Sequence, residues 1–160
     1  MSTIYDVPAS LKEFLDEHDA HYEIIPHHRD YSAQRTAADT FTPGHAFAKC
    51  VTLWIDNYYA LAVLPADHMI DFDLLRDSVG AREVGLASEV EIRRLFPDCE
   101  VGAEPPFGNL YGMPVFVASP LAVNDLITFN AGTHEEAIRM PFAEFVRLVQ
   151  PIVIDMACKM

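Results

Sequence analysis

Phe47–Leu64, FAKCVTLWIDNYYALAVL, is the stretch that decides the fold of this chain. It holds two apolar runs, Cys50–Ile55 and Tyr58–Leu64, rich in β-branched and aromatic residues. Between them stands Asp56-Asn57, a pair suited to a tight hairpin turn. The segment therefore predicts two antiparallel strands. At their mouth lies Lys49, one of three lysines in the chain, the other two being close to its ends. A lysine opening an apolar strand has two readings: an edge residue whose stem packs while its ammonium reaches water, or a cation at the floor of a pocket, placed to grip a phosphate or carboxylate.

Upstream, Pro8–His18 carries Leu11, Phe14, Leu15 and His18 at helical spacing, with Pro8 near the first turn. His21–Ile25 reads as a short strand stopped by Pro26. His27-His28-Arg29-Asp30 is polar, but neighbours on an extended chain point apart and no further ligand stands at a recognisable spacing, so a loop is expected and no metal site. Ser32–Asp39 predicts a short helix capped by Ser32. Pro43-Gly44 then turns the chain toward Lys49.

Downstream, Pro65–His68 ends the second strand. Asp71–Val79 predicts a helix closed by Gly80, and Glu83–Leu86 a short strand. Ser88-Glu89-Val90-Glu91 is a capping box opening a helix through Phe96, before Pro97. Cys99–Gly112, CEVGAEPPFGNLYG, holds three glycines and two prolines, which makes it a shaped loop. Such a loop is either a plain surface turn or a rigid frame whose exposed N–H groups face a developing oxyanion. Met113–Ala118 and Leu126–Phe129 predict strands. Asn130-Ala131-Gly132-Thr133-His134 predicts a turn into Ala137–Met140, with His134 either a polar contact in a site or a half-exposed surface group. Phe142–Val149 is an amphipathic helix between Pro141 and Pro151. The irregular alternation of short strands and helices favours a mixed α+β domain.

At 160 residues and 51% apolar, the chain predicts one folded domain, with a core at about residues 8–150 and a short tail, 151–160. No apolar run reaches the roughly 18 residues of a membrane span. Without a recognisable signal peptide, and with cysteines (Cys50, Cys99, Cys158) in no ligand or disulfide pattern, a cytoplasmic protein is expected. A formal charge of −13 excludes broad electrostatic coating of DNA or RNA, though not a local cationic pocket.

Lys49 before a hairpin ending LAVLP, the G-x-x-x-P-F-G loop at Gly102–Gly108, and the N-A-G-x-H segment ending at His134 together resemble the YbaK/EbsC (prolyl-tRNA synthetase-associated domain) family of aminoacyl-tRNA editing deacylases. The resemblance runs over about residues 8–150 and includes Leu86–Glu91, LASEVE. It implies an α+β fold around a mixed, barrel-like sheet flanked by helices. It also implies hydrolysis of the ester that joins a wrongly chosen amino acid to tRNA, with no metal and no cofactor.

Carried over, Lys49 anchors the phosphate or ribose of the terminal adenosine and Gly102 belongs to the catalytic loop. Pro106, Phe107 and Gly108 continue that loop along the substrate, and Gly132 and His134 stand at the aminoacyl group. The implied partner is the tRNA acceptor end, a prolyl-type acceptor first, with an aminoacyl-tRNA synthetase as a further partner. A small amino acid is expected. A positive mouth around Lys49, with Arg29, Arg35 or Arg139, would favour the deacylase, and a fully acidic rim a binding module. Cys50 stands where some members carry asparagine. The second reading is a non-catalytic module of the same fold that binds a nucleotide-like or aminoacyl-like ligand.

Overall fold

The computed structural model describes residues 6–160. The long hairpin is its spine. β2 (Phe47–Ile55) and β3 (Tyr58–Pro65) pair antiparallel from Ala48–Pro65 to Ile55–Tyr58, and Asp56 turns the chain with φ +50°. Around them lie β1 (Glu23–Pro26), β6 (Val115–Ala118), β7 (Leu126–Thr133), β8 (Glu136–Pro141) and β9 (Ile152–Ile154), in the order β1-β8-β7-β2-β3-β6-β9. The β2–β7, β3–β6 and β6–β9 ladders are parallel, which makes the sheet mixed.

The sheet branches at β2. One edge of β2 pairs with β3 throughout. The other pairs with β7 only at Phe47 and Ala48, and with β5 (Val84–Leu86) only from Leu53 to Ile55. Between those ladders, residues 49–51 have no strand partner on that edge among the described residues. Thr52 closes the gap at one end, its carbonyl accepting the N–H of Ala87.

Strand alternation divides the interior in two. Ala48 and Cys50 face a core that includes Leu61, Val63, Val117 and Phe129, covered by Leu11 and Leu15 of α1 (Ala9–Glu17) and by Phe145 of α5 (Phe142–Val149). Val51, Leu53 and Ile55 face the other core, with Ala62, Leu64, Met156 and Leu75 of α3 (Phe72–Val79). On that second side, α2 (Ala33–Asp39) seats Ala37 against Phe47 and Ala66.

Local chemistry sets the helix ends as the sequence predicts. Ser32 and Asp71 accept the N–H groups of Arg35 and Leu74, and Gly80 closes α3 in the left-handed region. α4 (Glu89–Leu95) opens with the complete Ser88–Glu91 capping box. Two segments differ from expectation. Asn130–Thr133 is not a turn: it is the bulged end of β7, and the reversal falls at His134-Glu135. The tail set apart at 151–160 carries β9, paired with β6, and β10 (Ala157–Lys159), paired with β4 (His68–Ile70). It also places Met156, fully buried, in the second core. No helix of the described residues is long and apolar enough to cross a membrane.

Candidate functional site

The unpaired stretch of β2 is where the chemistry gathers. Adjacent strand residues point to opposite faces, so Lys49 and Cys50 open into two different cavities. Lys49 belongs to a cavity of about 240 Å³, with Val51, Leu64, Met69, Ile70, Phe72 and Leu86 around it. Cys50 and Thr52 belong to one of about 220 Å³, closed by Ala87, Ile92, Val101, Gly102 and Glu104. Val51 and Leu86 line both, so the two chambers adjoin across the free edge of β2.

Among the described residues, Lys49 is the one charged side chain lining its chamber. Its Nζ lies 3.4 Å from the Ala66 carbonyl and 3.9 Å from the Met160 sulfur. Burial lowers its pKa, and the nearby Asp67 carboxylate opposes that shift. Asn130 follows the last β2–β7 rung on its strand as Lys49 does on its own, and its Oδ1 is buried without a hydrogen-bond partner. None of Arg29, Arg35 and Arg139 lines this chamber. Arg29 is ion-paired with Glu100 and with Glu135, Arg139 donates to Thr40, Thr42 and Thr128, and Arg35 stands 3.8 Å from Asp30.

On the other side, the Gly102 loop is strapped to the end of β7. Glu100 N–H donates to the Gly132 carbonyl, and Gly132 N–H donates to the Ala103 carbonyl. Gly102 takes φ +89°, where side chains are strained, and a Cβ there would stand 3.3 Å from His134 Cε1. Gly132 takes φ +90°, and a Cβ there would meet Pro8 at 2.5 Å. His134 is buried rather than half-exposed. Its Nε2 lies 2.8 Å from the Val101 carbonyl, its backbone N–H donates to Glu100, and its ring packs on Tyr31. It is a strut that holds the loop in place.

The remaining expected residues sit deeper. Pro106 is buried in the loop. Phe107 is fully buried, packed on Phe14, Phe129 and Phe145, so it forms the core beneath the chamber instead of a substrate wall. A Cβ on Gly108 would stand 2.8 Å from Val115 Cγ2, so this glycine serves packing. Lys49 and Gly102 are thus brought to the gap, with His134 behind Gly102, and Phe107 and Gly108 are not.

One residue that motif reasoning passes over lies in the chamber itself. Glu104, a variable position of G-x-x-x-P, is 5% exposed, and its Oε1 accepts the Gly102 N–H at 3.0 Å. That N–H, expected to face an oxyanion, is therefore occupied. Burial raises the Glu104 pKa, against the lowering effect of the Gly102 N–H. The visible signal was a carboxylate inside a glycine–proline loop flanked by apolar residues. Burial likewise drives the Cys50 thiol well above its ordinary range and the Cys99 thiol up to about 12, so neither is an activated nucleophile. No group of three or more His, Cys, Asp or Glu among the described residues has metal-binding geometry.

Known proteins share this framework. Two curated Escherichia coli proteins, from strain K12 and from O157:H7, are each described as a multifunctional Ser/Thr-tRNA deacylase ProXp-y. Each is 34% identical over 101 residues, 62% of this chain and 59% of the relative, so the match spans less than two thirds of those proteins. A solved structure provisionally described as a trans-editing enzyme for prolyl-tRNA synthetase superposes with a TM-score of 0.85 at 17% identity, over 99% of both chains. A scaffold protein used for computational epitope grafting gives 0.85 at 16% identity, over 98% of this chain and 99% of its own. At such identities these structures speak for the fold alone. A family model described as an aminoacyl-tRNA editing domain matches residues 27–148, and so takes in the Lys49 strand, the Gly102 loop and the His134 strut: the chain belongs to the aminoacyl-tRNA editing domain family.

Proposed function

We propose that this protein is a trans-editing deacylase that hydrolyses the ester between a small amino acid and the terminal adenosine of tRNA. The observation that carries the reading is the pair of adjoining chambers at the gap in β2, one with an ammonium and one walled by the Gly102 loop. The Lys49 ammonium suits the phosphate or ribose end of the adenosine. An aminoacyl group entering the chamber of about 220 Å³ brings its ester carbonyl to the shared wall at Val51 and Leu86. Water adds to that carbonyl, the bond from carbon to the ribose oxygen breaks, and the ribose oxygen takes a proton as the free amino acid leaves. An aminoacyl ester is already activated, so the vicinal ribose hydroxyl suffices to orient the water. This fits a site with no Ser-His-Asp set. In such a site discrimination among side chains comes from the shape of the pocket.

The relatives' description as Ser/Thr-tRNA deacylases makes serine and threonine the first amino acids to test. A prolyl-type acceptor and association with a synthetase are part of the same reading, as is a place in the cytoplasm. The test is deacylation of a panel of mischarged tRNAs by wild type and Lys49→Ala. Release of one or two small amino acids, lost in a Lys49→Ala protein that keeps its melting temperature, is the expected outcome. Full turnover by that variant removes Lys49 from the mechanism. The second reading, a non-catalytic module that binds an aminoacyl- or nucleotide-like ligand, draws on the Gly102 N–H being held by Glu104. It wins if no tRNA is deacylated while an aminoacyl-adenosine analogue still binds.

A further inference from the structure

Glu104 is the observation that the proposed chemistry leaves unused. Carboxylates are almost never fully buried unless paired, because an isolated charge loses its hydration. Glu104 is held by backbone N–H groups, that of Gly102 first, and the only titratable base that acts on it among the described residues is the buried His134 ring, which makes no ion pair with it. It faces a chamber whose other lining residues, from Cys50 to Val101, carry no cation. The chamber is large enough for one small amino acid and, apart from Cys50, Thr52 and the loop backbone, is apolar.

We infer that Glu104 forms a subsite for a primary ammonium, the α-amino group of the bound aminoacyl ester. The inference rests on the deacylase reading for the identity of the ligand, though binding tests it without catalysis. Every unmodified aminoacyl-tRNA presents a positively charged α-amino group two bonds from the ester carbonyl. Held by Glu104, that group fixes the carbonyl against the shared wall, and the side chain points into what remains of the chamber. The arrangement gives the chamber a reason for its one carboxylate. It also implies discrimination: an Nα-acylated aminoacyl ester has no cation to offer and leaves Glu104 buried without a counter-charge. Gly102 sits beside this contact through its hydrogen bond to Oε1, so the ammonium and the loop backbone share one carboxylate, one oxygen each.

The experiment measures binding of two non-hydrolysable probes, 3′-seryl-amido-3′-deoxyadenosine and its Nα-acetyl derivative, to wild type and Glu104→Gln. Glutamine keeps an oxygen for the Gly102 N–H, and thermal unfolding verifies that the variant is folded. Wild type should bind the free amine about 10- to 100-fold more tightly than the acetyl form, the range expected for a desolvated charge pair. Glu104→Gln should lose most of that preference, because the free amine alone weakens. Comparing both probes in both proteins cancels the bulk of the acetyl group. Equal preference in the two proteins, equal weakening of both probes, or no binding of either to folded wild type overturns the subsite. Hydrolysis of mischarged tRNA, run alongside, separates the ideas: a protein that prefers the free amine but hydrolyses nothing keeps the subsite and loses the deacylase.

Discussion

Truncating Phe107 should cost stability first and activity only through it. The ring is fully buried beneath the Gly102 loop, and its centroid lies 6.1 Å from Phe14, 5.7 Å from Phe129 and 5.7 Å from Phe145. Replacing a buried phenylalanine by alanine costs about 3–5 kcal/mol in lost transfer energy and residual cavity. The three aromatic neighbours place Phe107→Ala at the upper end, since each edge-to-face or tilted pair adds about 0.5–1.5 kcal/mol. For a domain of this size, about 2–4 °C of melting temperature accompanies each kcal/mol, so a fall of about 10 °C or more is expected. Phe107→Leu keeps most of the volume and should lose about 1.5 kcal/mol or less. The assay is thermal unfolding beside deacylation at a temperature where both variants remain folded. There, both should turn over substrate at close to the wild-type rate. A Phe107→Ala protein that melts with wild type yet releases no amino acid refutes the placement of this ring in the core and returns it to the substrate wall.

Gly102→Ala should slow deacylation markedly with a stability loss of about 1–2 kcal/mol, the usual cost of a left-handed non-glycine residue; its Cβ also presses on His134 at 3.3 Å. Unchanged kinetics in a folded variant would place the loop backbone outside the site. The charged Lys49 ammonium is the form that grips an anion, and burial lowers its pKa while Asp67 opposes the shift. Enzymatic kcat/KM, corrected for spontaneous ester hydrolysis, should therefore fall as pH rises through that lowered value. In Asp67→Asn the falling limb should move to lower pH, and an unmoved limb rules Lys49 out as its source. Glu144, bonded by Arg147 and by the His21 N–H, titrates at about 2 against an ordinary 4.5. Its depressed pKa contributes stability that is complete above about 4.5 and is lost as pH falls toward 2. Unfolding curves of Glu144→Gln should lack that part of the acid dependence, and identical acid profiles would count against the ion pair.

The sequence was most readable where structure is set by neighbours in the chain. Ser32, Asp71, the Ser88–Glu91 box and Gly80 act within a few residues, and each helix end falls where they stand. The hairpin was readable for the same reason. β9, β10 and β4 were not, because their pairing comes from afar: residues 68–70 meet 157–159, and residues 152–154 meet 116–118. Asn130-Ala131-Gly132 has turn composition, yet Gly132 uses its positive φ for a strand irregularity tied to the 99–104 loop and to Pro8. In the site, Lys49 and Gly102 stood out because cations and glycines are chemically conspicuous. Glu104 was hidden by motif notation, which treats its position as free.

The opposition of Lys49 and Cys50 follows from strand alternation alone, and it bears directly on the proposed reaction. A nucleotide held by Lys49 and an aminoacyl group lying among Cys50, Gly102 and Glu104 occupy opposite faces of one sheet. The two chambers meet at Val51 and Leu86, beside the edge of β2 that neither β5 nor β7 covers. A continuous ladder along residues 49–51 would wall the chambers apart, so under the proposed reaction the interrupted pairing of β2 is what would let a single ligand span both. The net charge then ceases to be an obstacle. Arg29 is paired with Glu100 and Glu135 and Arg139 is bonded to threonines, and one ammonium beside one terminal nucleotide asks for no cationic surface beyond it.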